Sequence, residues 1–242
     1  MPNVATLRAT SPSVTHPHAQ SRRTSLVGVA VSMATALSIL AVAVLLVLPP
    51  VVLHPLLDVA GSASILGVTS GEAHRLSDLT VTELILGPGT FAFAGPGGGP
   101  LFDASEAAHL RDARALLYGF LAVAALAAVL VVGSSLRTQR GESCRRVARG
   151  GGALAVGIVV VGAVALLAFE PAFELFHRVF FPGGNWAFDP GSQRLVQLYP
   201  LTFWRYVSAL VGVIALILAA GTWALARRRA ADVIAAEDGQ RR

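Results

Sequence analysis

Two histidines stand out as side chains able to move protons near neutral pH: His109 in "HLRDA" and His177 in "FHRVFFPGGNWAFDP". The ordinary pKa of imidazole, about 6.5, lets it take up and release a proton there. Each histidine has a carboxylate in its own stretch. Asp112 follows His109 at i+3, on a neighbouring part of one helix face, and Asp189 closes the second stretch. Such carboxylates can orient an imidazole and stabilise its protonated form. No good covalent nucleophile accompanies them. The single cysteine, Cys144, lies in a separate Arg-rich segment, and one cysteine makes neither an intrachain disulfide nor a thiolate-built metal site. A pair of bases without a nucleophile suits direct transfer between two groups of one bound substrate. Two histidines with one or two carboxylates could also hold a divalent ion with an open position, although no dense motif of the H-E-x-x-H kind occurs.

The elements that must position these residues are membrane helices. Hydrophobic residues make up 54% of the 242-residue chain and charged ones 14%, against about 45–50% and about 25% in soluble domains. Four apolar runs occur, about 26–52, 115–136, 152–169 and 207–226. Each is near or above the roughly 20 helical residues that cross a bilayer core. The expected fold is an all-α membrane protein with four transmembrane helices and outward-facing loops that carry short interfacial helices. The four-helix membrane domain spans 26–229, with outer loops at 53–114 and 170–206 and an inner loop at 137–151. A disordered N-terminal tail (1–25), rich in Ser, Thr, Pro and Ala, and a C-terminal tail (230–242) flank it.

Arginine placement sets the expected orientation. Every one of the 19 basic residues is Arg. Arg8, Arg22 and Arg23 precede the first run, five arginines from Arg137 to Arg149 fill the second connection, and Arg227–Arg229 follow the fourth. The first connection is instead acid-rich, from Asp58 to Asp112. Both termini and the Arg-rich loop are therefore expected in the cytoplasm of a bacterial cell, with the multi-pass chain in its plasma membrane. The formal charge of +5 is explained by topology, and no nucleic-acid partner is expected. "SRRTSL" looks like part of a twin-arginine export signal, but the apolar run after it exceeds the roughly 7–15 residues of a signal core, so an uncleaved anchor is expected.

Both histidines fall in the outer regions. "SGEAHRLSDLTVTELILG" reads as a short helix with a Ser at its cap and apolar Leu76, Leu79, Val81, Leu84 and Ile85. "PGTFAFAGPGGGP" is too rich in Gly and Pro for regular structure. A helix then starts at "FDASEAAHL", where Asp103 and Glu106 have capping-box spacing. His109 lies about six residues, or about 9 Å of helix rise, before the second apolar run, hence at head-group depth. Position alone also fits a solvated juxtamembrane histidine. In "PAFELFHRVFF", Pro171 suits a first helical turn and Glu174 with Arg178 suits an i, i+4 pair. Phe173, Phe176 and Phe180 form an expected apolar stripe facing lipid, and Trp186 is a candidate interface anchor. At this depth the reactive bonds on offer are glycerol esters of lipids or lipidated proteins.

"HLRDA" and "FHRVFFPGGNWAFDPGSQRLVQLYPLTFW" resemble the blocks of a four-span bacterial family that includes the lipoprotein intramolecular transacylases (Lit). In that family an outward His-x-x-Asp precedes the second span, and an F-H-x-x-F-F block followed by W-x-F-D-P precedes the fourth. Here "HLRDA" departs from the H-M-x-D-V form common among relatives, and the "AGPGGGP" insert is unusual. The resemblance implies an acyltransferase that moves the sn-2 acyl chain of a diacylglyceryl-cysteine to the α-amino group of that cysteine. The implied partners are membrane lipid and a lipidated protein, and no cofactor or metal is called for. The family's two essential histidines map onto His109 and His177; on our reading one would take the proton of the attacking amine and the other would protonate the leaving glycerol oxygen. Asp112 and Asp189 would orient them, and Arg178, Asn185 and Trp186 are candidate oxyanion or head-group contacts. A non-enzymatic scaffold and a metal-dependent membrane hydrolase stand as the alternative readings.

Overall fold

The computed structural model describes residues 17–240. Most of the expected N-terminal tail, and residues 241–242, lie outside the described residues. Four long helices carry the membrane-crossing apolar segments: α1 (Pro17–Val47), α5 (Ala104–Arg137), α6 (Arg140–Phe180) and α8 (Leu201–Gln240). Four short ones lie between them: α2 (Pro50–Ala60), α3 (Ser62–Leu66), α4 (Ser70–Ile85) and α7 (Arg194–Leu198). The all-α membrane fold with four spans is the one expected from the apolar runs.

The helix boundaries differ from the apolar runs in physically clear ways. The first run breaks at Pro49–Pro50: α1 stops at Val47, and Pro50 takes the first position of α2, where its missing N–H costs nothing. The expected inner loop 137–151 shrinks to Thr138 and Gln139, because its arginines form the first turns of α6. The last helix starts at Leu201 and continues through Gln240, so residues 230–240, expected as a tail, are helical. Residues 17–25, also expected in a tail, belong to α1. Helix α6 is bent at Ala168, whose φ of −143° and ψ of 47° are not helical. Pro171 lies just beyond, and its ring would clash with the carbonyl four residues back in a straight helix. The segment after the bend is the short helix expected around His177.

At the Arg-rich end, "RGGGA" lets three helices meet. A Cβ on Gly150 would lie 2.4 Å from the Ser32 carbonyl oxygen of α1, and one on Gly151 would lie 2.8 Å from the Ala219 carbonyl oxygen of α8. Ser32 Oγ also donates to the Arg146 carbonyl at 2.9 Å, and Arg146 pairs with Glu142. Replacing Gly150 by Val must push α1 and α6 apart. The expected loss is about 1–3 kcal/mol, the range for overpacked sites, read as a lower unfolding midpoint of the detergent-solubilised protein.

The opposite end holds the chain's principal core. Leu57, Leu66, Leu76, Phe91, Leu101, Phe102, Leu110, Leu195, Leu198 and Phe203 are buried together, so the segments that join the long helices at this end form a packed cap. Three helices, not one, lie in the segment before α5. Helix α4 is capped by Thr69, whose side chain accepts from the Glu72 N–H, where Ser70 was the expected cap. The Gly-rich stretch folds back on itself through a single bridge between Ala94 and Pro100. The carbonyls at the end of α4 and in the turn after it are held by α5: Tyr118 Oη donates to the Ile85 carbonyl at 2.5 Å and Arg114 to the Gly87 carbonyl at 2.6 Å. Buried Tyr199 hydrogen-bonds Ser77 at 3.0 Å, and burial pushes its phenol pKa up to about 12.

Candidate active site

The start of α5 is set by a complete capping box. Asp103 accepts from the N–H groups of Ser105 and Glu106 at 2.7 and 2.8 Å, and Glu106 returns a bond from the Asp103 N–H at 2.7 Å. The backbone donors that Asp103 caps hold its carboxyl below the usual carboxylate range. Glu106 does more than cap. Its second oxygen accepts from the Leu195 N–H at 2.6 Å, and the side chain is 1% exposed. Gln193 adds a 3.0 Å bond to Asp103. The first turn of α5 is thereby fixed to the segment that leads into α8, and His109 follows one turn later.

His109 is buried and meets His177 from the end of α6. Their ring centroids are 5.9 Å apart, with planes inclined by 28°. Phe181 at 4.6 Å and Phe188 at 5.5 Å pack on His109, while Phe173 at 4.2 Å and Trp186 at 5.2 Å pack on His177. The i, i+4, i+8 row Phe173–His177–Phe181 therefore faces inward. Leu175, Phe176, Val179 and Phe180 point out, each 45–63% exposed. Phe173 thus leaves the lipid-facing stripe in which it was expected, because 3.6-residue periodicity puts it on the row of His177.

His177 Nδ1 lies 2.7 Å from the Phe173 carbonyl oxygen. That contact assigns the proton to Nδ1 and leaves Nε2 as a proton acceptor. Burial lowers the pKa of His177, with the Phe173 carbonyl opposing the shift. His109 Nδ1 is buried with no hydrogen-bond partner among the described residues.

The remaining candidates divide. Asn185 donates to Asp112 at 2.8 Å, so this pair latches the turn after α6 to α5 beside His109. Asp112 holds Asn185 in place of an imidazole. Trp186 is in the cluster. Arg178 is not: it pairs with Glu174 on the outer face and is 68% exposed. Asp189 also stands apart. Its oxygens accept from the Gly191 N–H and Ser192 Oγ at 2.9 and 2.8 Å, and these bonds hold its carboxyl below the usual range. It builds the turn before α7, as Asp does in turns generally. Asp189→Ala is accordingly expected to lower the unfolding midpoint while leaving the pH dependence of turnover unchanged, measured on one preparation. Phe181, Phe188 and Glu106 carry more of the site than their sequence positions suggested. The capping-box spacing was the one signal for Glu106; Phe181 and Phe188 lie in the F-H-x-x-F-F and W-x-F-D-P blocks, which did not say that both pack on His109. Among the described residues no group of three or more His, Cys, Asp or Glu side chains converges as metal ligands would.

Residues 80–204 match the family described as lipoprotein intramolecular transacylase Lit. The matched region contains both histidines, the capping box and the turn between them. Among solved structures the fold is similar to that of the membrane integral lipoprotein intramolecular transacylase Lit from Bacillus cereus, with a TM-score of 0.73 at 19% identity, covering 88% of this chain and 98% of that one. A variant of that protein with one histidine changed to arginine gives 0.72 at 18% identity, over 90% and 97% of the two chains. No curated protein sequence matches significantly. At such low identity the structural likeness speaks for the fold, and the family match, which takes in over half of the chain, speaks for kinship: this multi-pass bacterial membrane protein belongs to the lipoprotein intramolecular transacylase family of acyltransferases.

Proposed function

We propose that the chain moves an acyl chain from the glycerol ester of a lipidated N-terminal cysteine to the α-amino group of that cysteine, at the outer leaflet, by acid–base catalysis between His109 and His177. The observation that supports this most is the pairing itself. Two imidazoles from helices far apart in sequence face each other at 5.9 Å in an aromatic pocket. That spacing suits one reacting centre held between two proton carriers. The exposed Leu175, Phe176, Val179 and Phe180 beside His177 give the pocket an apolar flank for acyl chains.

In this reading His177 Nε2 takes a proton from the amine as its nitrogen attacks the ester carbonyl. The new C–N bond forms, and the tetrahedral centre collapses with loss of the C–O bond. His109 protonates the departing glycerol oxygen and recovers its proton from His177, so no water is consumed. Trp186, packed on His177, brings an indole N–H to the side where the oxyanion develops. The Asn185–Asp112 latch positions this turn. With the Arg-rich end in the cytoplasm, the cap and both histidines lie on the outer side, at the depth of glycerol esters.

The test is co-expression of the protein with a model diacylated lipoprotein. The acyl shift conserves mass, so the readout is fragmentation of the N-terminal cysteine. The wild type should give N-acyl, mono-O-acyl cysteine, and His109→Ala and His177→Ala should leave it diacylglyceryl with a free amine. Unchanged N-acylation in both variants at equal expression would sink the acid–base reading. Activity abolished by a chelator and restored by a divalent ion would favour the metal-dependent hydrolase.

A further inference from the structure

At the Arg-rich end, away from the histidines, a groove of about 470 Å³ runs between α6 and α8. Arg145, Arg149 and Arg227 line it, with Trp223 and Gly152 as its floor, and no carboxylate is among the lining residues described. Gly152 makes the floor possible: a Cβ there would lie 3.0 Å from the Trp223 indole, so a larger residue would lift the ring and fill the groove. Arg227 sits over the Trp223 ring at 5.0 Å, which holds one guanidinium at the edge. Beyond Gly152 the same row of α6 continues toward the bundle centre as Val156, Val159 and Val160, which are 58–66% exposed. The groove thus joins three cationic side chains to an apolar, outward-facing stripe.

We propose that this groove binds an anionic membrane phospholipid, its phosphate between Arg145, Arg149 and Arg227 and an acyl chain along Val156 and Val160. An occupant needs an anion and a hydrocarbon tail on the same molecule, which free phosphate lacks. Guanidinium forks suit phosphate oxygens, and basic pockets between transmembrane helices are a recurring setting for such head groups. The proposal is independent of the acyl-transfer reading, because it uses no residue of the histidine site.

The protein is reconstituted in phosphatidylcholine vesicles containing a small fraction of phosphatidylglycerol with brominated acyl chains, which quench nearby indoles. Trp223 emission is taken as the difference between the wild type and Trp223→Phe. Brominated phosphatidylglycerol should quench it more than brominated phosphatidylcholine at the same fraction. Arg149→Gln with Arg227→Gln should weaken the preference by about fivefold per arginine, the factor for a contribution of this kind. Equal quenching by the two lipids in the wild type overturns the proposal, and this arm needs no arginine variant to fold. So does an undiminished preference in the double variant, or release of the lipid by millimolar inorganic phosphate, which would make the groove a free-anion site.

Discussion

His177→Ala is expected to lower the single-turnover rate of N-acylation by about 10²–10⁴-fold, the range for loss of a positioned acid–base group, with little change in substrate affinity. The side chain is half-buried and flanked by Phe173 and Trp186, so truncation leaves a small pocket and the fold intact. His109→Ala should cost a similar factor. The double variant should cost far less than the product of the two, because two proton carriers acting on one reacting centre fail together. Full multiplicativity would mean that the histidines act on separate steps. Measuring all three variants on a synthetic diacylated lipopeptide, with folding checked by unfolding midpoint, decides between these outcomes.

The pH dependence carries a sign that can be worked out for His177. Burial is the largest influence on it and lowers its pKa, so the neutral, accepting form persists below the usual histidine range. The acid limb of the rate profile should therefore have its midpoint under about 6.5. Stability follows the same shift. Between the lowered folded pKa and about 6.5 the unfolded chain binds more protons, so stability rises with pH across that window and is lost on acidification through it. His177→Ala should flatten this part of the stability profile.

The membrane spans were legible because apolar run length is a one-dimensional property. The cap was not. Helices α2 and α3 hide in a stretch whose hydrophobicity continues that of the first span, and only the Pro49–Pro50 pair marks the break. The two histidines were visible as residue types, since His on an outer segment of a membrane protein invites an explanation. Their pairing on one substrate was expected, but its geometry was not readable, because it depends on the bend at Ala168 and on contacts across long sequence separations. Asp189 illustrates the converse error. Its place in the same stretch as His177 suggested a site carboxylate, whereas its oxygens are spent on Gly191 and Ser192. Turn-building and imidazole-orienting aspartates look alike in sequence; the partner decides between them.

Glu106 is where the fold and the site depend on one side chain, and Glu106→Ala should have the largest effect on stability of any substitution near the histidines. It leaves two backbone donors without acceptors, the buried N–H of Leu195 and the partly buried N–H of Asp103. Each such group costs about 1–3 kcal/mol, and the vacated volume adds to that. Glu106→Gln separates the two bonds: its amide oxygen can serve one donor while its NH₂ faces the other, so about half the loss is expected. Because Glu106 lies one turn before His109, loosening it frees the start of α5 from the Leu195 segment. His109 then no longer holds its distance from His177. Turnover should fall in step with the loss of the Leu195 bond, and the rate should fall while the midpoint of the acid limb set by His177 stays where it was. Amide exchange at Leu195, followed by mass spectrometry, reports the bond directly: protection should be lost in Glu106→Ala and partly kept in Glu106→Gln. Full protection at Leu195 in the alanine variant, or wild-type turnover despite its loss, would show that the cap positions nothing in the site.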